Sequence, residues 1–208
     1  MPGTLPEAII FDVGNVLINV DHLAIGVGLA EVSGHASHRD RAVLLASVRE
    51  WRRSPLIAEF EEGRLSAERF YGRMASAYWL NASFEQFTAI WNSGFSENTP
   101  VVRIVGRLRG RTRLFALSNT DPLHFDHLWG AYPVLGWMEE TILSYRVGSR
   151  KPAAEIYTHA LSRVGIEPSQ VWYIDDLTEF VDAAETLGMR GIPYRSAPEL
   201  ADALGVRD

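Results

Sequence analysis

The sequence predicts an α/β fold: a doubly wound parallel sheet with a helical cap inserted after its first strand. Two observations carry this. Short apolar runs bounded by turn residues alternate with helical stretches through the second half of the chain, the pattern of a parallel sheet with right-handed crossovers. Between the first such run and the second, residues 20–97 show helical periodicity and no convincing strand. The length of 208 residues fits one domain with a sizeable insertion. The expected division is a core over 1–19 and 98–208 and a helical cap over 20–97.

The first strand is the apolar run at residues 8–11, ended by Asp12. In the cap, Ser66 reads as the N-cap of a helix carrying Phe70, Tyr71 and Met74. Ser83 with Gln86 reads as a capping box before Phe87, Ile90 and Trp91. Thr99 then Pro100 reads as N-cap and first helical residue, and so does Asp121 then Pro122. Residues 114–117 form the second core strand and 141–143 the third. Pro152 starts a helix through Ile156, Ala160 and Leu161 that stops at Gly165. Residues 171–174 form the fourth strand, a helix begins near Thr178 and stops at Gly188, and 191–194 form a weaker last strand.

Composition narrows the function. The net charge of −6 and pI of about 5.5 lack the basic footprint of a nucleic-acid or membrane surface. The chain has no cysteine, which excludes disulfides and thiolate chemistry and fits a reducing cytoplasm. The amino terminus shows no signal-peptide pattern, and no apolar run reaches the roughly 18 residues of a membrane span.

Ligands of open α/β sheets bind beyond the carboxyl ends of the strands. Asp12 ends the first strand, Ser118-Asn119-Thr120 the second, and Asp175-Asp176 the fourth, while Lys151 follows the third. Three carboxylates, a hydroxyl and an ammonium at one edge suit phosphoryl transfer. A rigidly held carboxylate such as Asp12 can attack phosphorus. Mg²⁺ takes hard oxygen ligands, which Asp12 and Asp176 can supply, with Asp175 close by. Ser118, nearby backbone N–H groups and Lys151 can hold the phosphate oxygens. Lys151 is also expected to lower the pKa of Asp12.

The runs IIFDVGNV, ALSNT, RKPAAEIY and YIDD, in this order, resemble the four motifs of the haloacid dehalogenase superfamily. The resemblance spans nearly the whole chain. It is nearest to a branch opening with Phe-Asp-x-Gly-Asn-Val, which includes sugar-phosphate phosphatases similar to alpha-D-glucose-1-phosphate phosphatase. It implies a Rossmann-like core, a helical cap after the first motif, and Mg²⁺-dependent hydrolysis of a small phosphorylated metabolite through an aspartyl-phosphate. Asp12 would be the nucleophile. Ser118 and Lys151, with Asn119, would hold phosphate. Asp176, Asp12, the Gly14 backbone carbonyl and less certainly Asp175 would bind the metal. No nucleic acid or membrane partner is implied, and monomer and homodimer are both open.

Two positions depart from the family. Its phosphatases usually carry a second Asp two residues after the nucleophile, which protonates the leaving group and then activates water; here Gly14 stands there. A lost acid/base costs roughly 10²–10⁴ in rate, so the chemistry needs a better leaving group or another proton donor. Phe180 stands where members commonly carry Asn or Asp. Two alternatives follow. One is a metal-independent 2-haloacid dehalogenase, in which the same Asp attacks carbon, although neutral residues would then be expected at 175 and 176. The other is a weakly catalytic or non-catalytic binding protein.

Other features have plainer readings. His124 and His127 are ordinary helix residues near the cleft. The Gly26–Gly28 stretch is no dinucleotide fingerprint, because no strand precedes it. The basic run RIVGRLRGRTR is a solvated helix face. Trp51, Trp79 and Trp91 are cap core or a dimer contact sooner than a sugar platform.

Overall fold

The computed structural model describes residues 5–34, 42, 45–48 and 50–206. The strands among them are β1 (Ala8–Phe11), β2 (Ile18–Val20), β3 (Phe95–Glu97), β4 (Arg113–Ser118), β5 (Glu140–Leu143), β6 (Val171–Asp175) and β7 (Arg190–Pro193). Five make one parallel sheet in the order β5-β4-β1-β6-β7. β1 is central and wholly buried. Its side chains alternate between the two faces. Ile9 and Phe11 pack with Val101, Val105 and Leu204 on one side, and Ala8 and Ile10 with Ile156, Ala160 and Ala184 on the other. Those partners belong to α5 (Thr99–Leu108) and α10 (Ala197–Leu204), and to α8 (Ala154–Val164) and α9 (Thr178–Thr186). The doubly wound expectation is met, because a strand apolar on both faces must be covered twice.

The insertion after β1 is helical: α1 (His22–Glu31), α2 (Pro55–Glu61), α3 (Ala67–Tyr78) and α4 (Phe84–Trp91). It has an apolar cluster of its own. Phe70 is fully buried and stacks on Phe60 at 4.1 Å between ring centres, and it meets Trp91 edge-on at 5.1 Å. Ser66 caps α3, and Ser83 with Gln86 forms the capping box of α4. Gly26 and Gly28 serve packing. A Cβ would come within 2.4 Å of Val48 Cγ2 at Gly26 and within 2.7 Å of Ile90 Cγ2 at Gly28. Trp51 and Trp91 are buried in the cap, while Trp79 is exposed.

Three expectations about elements need correction. Residues 20–97 do contain strand: β3 pairs antiparallel with β2, and this ribbon carries the chain out to the cap and back. Each strand has three residues, too short for alternation to show. The helix at 99 is capped in position by Asn98, not Thr99. The Asn98 amide is occupied instead, donating to the Val16 carbonyl at 2.8 Å and the Tyr194 hydroxyl at 2.9 Å. Pro152 does not begin α8, whose N-cap is Ala153. Pro152 lies in a turn closed by the Ala153 N–H on the Arg150 carbonyl, after a cis Lys151–Pro152 bond. Among the described residues no helix is long and apolar enough to cross a membrane.

Phe70 is fully buried and touches the rings of Phe60, Phe87 and Trp91. Phe70→Ala is expected to lower stability by about 3–5 kcal/mol through the cavity it leaves, read as a fall in the urea midpoint.

Candidate active site

Register brings the strand ends to one edge. Phe11 lies opposite Ala116 and Ile174, so Asp12 follows level with Leu117 and Asp175. Asp12 continues the ladder with its N–H on the Ile174 carbonyl at 2.8 Å. Its Oδ1 accepts from the Val13 N–H and from Lys151 Nζ, both at 2.8 Å. No hydrogen bond to Oδ2 occurs among the described residues, which leaves that oxygen's lone pairs for chemistry.

The Lys151 ammonium is nearly sealed, its side chain 1% exposed. A buried charge is tolerable only when paired. Nζ donates to Asp12 Oδ1, to Asp175 Oδ2 at 2.7 Å and to the Leu117 carbonyl at 3.3 Å. Asn119 positions the backbone beneath it: its amide donates to the Lys151 carbonyl at 3.0 Å, and its Oδ1 accepts the Lys151 N–H at 2.8 Å. The Asn119 side chain thus ties its loop to Lys151, and one amide hydrogen remains beyond these two bonds. Thr120 is fixed in turn by Ser144, whose Oγ accepts the Thr120 N–H at 2.9 Å and donates to its carbonyl at 3.0 Å. Ser118 is buried at the end of β4 and lines the same cavity.

The two acids after β6 differ. Asp175 is fully buried with both oxygens engaged: Oδ2 by Lys151 and the Tyr173 hydroxyl, Oδ1 by the Leu177 N–H at 2.9 Å. Asp176 is half-buried and, among the described residues, accepts only a long contact, 3.4 Å, from the Asn15 amide. Asn15 sits in the left-handed region at φ 56, and its Oδ1 accepts the Val20 N–H at 3.1 Å.

Oxygens of Asp12, Asp175 and Asp176 lie within 4.8 Å of one another. Three carboxylates against the one ammonium leave two negative charges when all are ionised. Burial above all pushes the Asp12 carboxyl up to about 7, Lys151 pulling against it while Asp175 and Asp176 add repulsion. The expected lowering by Lys151 is real but outweighed by desolvation. Asp176 is likewise raised, by burial and by Asp175. Burial opposes the charge on Lys151, yet Asp12 and Asp175 overcome it and raise its pKa. An all-oxygen donor set with surplus negative charge fits a hard divalent cation, and Asp12 and Asp176 have the freer oxygens to hold it.

A cavity of about 140 Å³ opens over this edge. Gly14 lines it, and a Cβ there would meet only Val20 Cγ2 at 3.6 Å. Phe180 forms an apolar wall with its ring centre 5.0 Å from Lys151 Nζ. The cap adds His22, Arg52 and Glu61. These three escape a strand-end reading, because only the fold of the insertion over the edge brings them in, and Arg150 joins them through Glu61 and the Arg52 carbonyl. The tryptophans are not among the lining residues. His124 lines the cavity, but its nitrogens are taken: Nδ1 lies 3.0 Å from Asp121 Oδ2 and Nε2 3.0 Å from the Trp91 carbonyl. Neither it nor His127 joins the carboxylate cluster.

Known proteins resemble this chain in sequence and in fold. A D-ribitol-5-phosphate phosphatase of Bacteroides thetaiotaomicron is 24% identical over 194 residues, covering 86% of this chain and 87% of that protein. The sugar-phosphatase resemblance thus finds a sugar-alcohol phosphatase as a relative, not a glucose-1-phosphate one. A haloacid dehalogenase family enzyme of the same bacterium, in complex with magnesium and inorganic phosphate, has the same fold with a TM-score of 0.78 at 23% identity, covering 91% of this chain and 94% of its own. A dehalogenase shares the fold at a TM-score of 0.69 and 15% identity, covering 98% and 99%. A model of the haloacid dehalogenase-like hydrolase family matches residues 6–188, and the chain belongs to that family.

Proposed function

We propose that the protein is a Mg²⁺-dependent phosphatase of a small phosphorylated metabolite, a sugar or sugar-alcohol phosphate being the favoured class. One observation carries this reading: Lys151 clamps Asp12 on one oxygen beside Ser118, within a carboxylate cluster whose charge is not balanced by protein. The relative that hydrolyses D-ribitol 5-phosphate, and the fold neighbour complexed with magnesium and phosphate, support it. A metal-independent dehalogenase would leave the Asp176 carboxylate with no cation to bind. The division into core (1–19, 98–208) and cap (20–97) rests on the separate apolar cluster of the cap.

In this reading Asp12, Asp176 and the Gly14 carbonyl hold the cation. When bound it offsets the repulsion between Asp12 and an incoming phosphate. Ser118 holds a phosphate oxygen, and Lys151, whose three N–H groups are already donated to Asp12, Asp175 and Leu117, acts on the developing charge as a nearby cation. Asp12 Oδ2 attacks phosphorus in line as the bond to the leaving oxygen breaks, and the alcohol departs. Water then attacks phosphorus, the bond to Asp12 breaks, and phosphate and the free carboxylate are released. All these groups come from one chain, so a monomer or a homodimer can carry a complete site.

Asp12→Asn is expected to lower Mg²⁺-dependent turnover of sugar phosphates by ~10⁴-fold or more, as losses of a covalent nucleophile do. Unchanged hydrolysis, or chloride release from 2-chloropropionate without Mg²⁺, would overturn the mechanism. Stability offers a second test. A carboxyl whose folded pKa is raised to about 7 from 3.8 binds its proton more tightly when folded. Its contribution is full below about pH 4 and is lost as pH rises towards 7. Without divalent cation, wild type should therefore lose stability relative to Asp12→Asn across that window in denaturant titrations. Added Mg²⁺ should restore it, more at pH 7 than at pH 5.

A further inference from the structure

Given the phosphatase reading, a proton remains unaccounted for. An alkoxide leaves poorly unless protonated, and Gly14 has nothing to give. In an in-line displacement the leaving oxygen departs on the side of phosphorus away from Asp12, and the cap contributes acid–base groups to the same cavity. Besides the carboxylate cluster, the acid–base groups on the cavity wall are His22, Glu61 and His124.

Two of them are poor donors. His124 faces a carboxylate with one nitrogen and a carbonyl with the other, so both must carry hydrogen and both are spent. His22 is held neutral by burial and by the positive neighbours His124 and Arg52. Glu61 differs. It is the last residue of α2, and its side chain is 19% exposed. Its Oε2 is buried and makes no hydrogen bond, although it lies 3.2 Å from Arg150 Nη1. Burial raises its pKa, with Asp121 adding to the effect while Arg150, His124 and Lys151 oppose it.

We propose that Glu61 is the proton donor of this reaction and then its base, supplying from the cap what Gly14 leaves open in the core. As Asp12 attacks and the bond from phosphorus to the leaving oxygen breaks, the Glu61 carboxyl passes its proton to that oxygen. The resulting carboxylate stands beside Arg150, a cation that does not titrate in proteins. In the second half a water attacks the phospho-Asp12 and gives its proton to Glu61. The bond to Asp12 breaks, and both carboxyl groups return to their starting states.

Sensitivity to the leaving group separates this role from a structural one. Purified Mg²⁺-loaded wild type and Glu61→Gln are compared on ribitol 5-phosphate, glycerol 3-phosphate and p-nitrophenyl phosphate. kcat on the two alkyl esters should fall ~10²–10⁴-fold. On the aryl ester, whose leaving group needs no proton, the fall should be under about tenfold by the same reasoning. The double variant G14D/E61Q should recover alkyl turnover, since the cavity has room for a side chain at residue 14. An equal fall on all three substrates overturns the proposal, as does a rise in KM alone, which would make Glu61 a substrate-hydroxyl ligand. Loss of the folded state in Glu61→Gln, seen by circular dichroism, moves the test to Glu61→Asp. Partial alkyl activity with full aryl activity supports the role there, and uniform loss overturns it. If wild type hydrolyses none of the esters, the phosphatase reading itself fails, which is a separate result.

Discussion

The buried ammonium of Lys151 organises the catalytic edge of this protein. It reaches carboxylates from two strands, Asp12 at the end of β1 and Asp175 at the end of β6, and the carbonyl of Leu117 in β4. Removing such a charge from water is costly, and only several good partners repay it. The partners must therefore stand where parallel register puts them, and the loop carrying Lys151 must be fixed. Asn119 does this with two hydrogen bonds to the Lys151 backbone, and Ser144 secures Thr120, the residue after Asn119 in the loop beyond β4. Tyr173 completes the shell from beneath by donating to Asp175. The sheet, two loops and a buried tyrosine thus converge on one nitrogen.

That arrangement explains why the neighbouring acids diverge. Asp175 is part of the scaffold, since each of its oxygens already has a partner. Asp176, one residue on, is left with a weak contact from Asn15 and is free to bind something else. Repulsion among the carboxylates is tolerated because Lys151 neutralises part of it and protonation or a cation can neutralise the rest.

Much of the core was readable from sequence. A central strand buried on both faces is a short unbroken apolar run, and Asp12, Ser118 and Asp175 stand out because each ends one. Helix termini were readable where side chains make their own caps, as at Ser66, Ser83 and Asp121. Reading failed where a tertiary bond took the side chain elsewhere, as with Asn98, or where an element was too short to show a period, as with β2 and β3. The site showed the same division. Its strand-end residues could be named in advance, whereas the presence of Glu61 and Arg52, and the contacts Arg150 makes with them, depend on how the cap folds over the edge. Of the three cap tryptophans conspicuous in sequence, Trp51 and Trp91 satisfy the cap's own core and Trp79 stands exposed.

Arg150 gives this geometry a consequence for how the two parts can change. Its guanidinium lies against Glu61 and donates to the carbonyl of Arg52, both in the insertion, while its backbone leads directly into Lys151. The grip on the cap and the anchor of the core are adjacent links of one chain. A second joint runs through Trp91, whose indole N–H donates to Asp121 at 3.2 Å. The insertion is therefore not a freely exchangeable module. A different cap grafted onto this core would leave Arg150 without its acid beside the buried lysine, so residue 150 belongs with the cap in inheritance although it lies in the core.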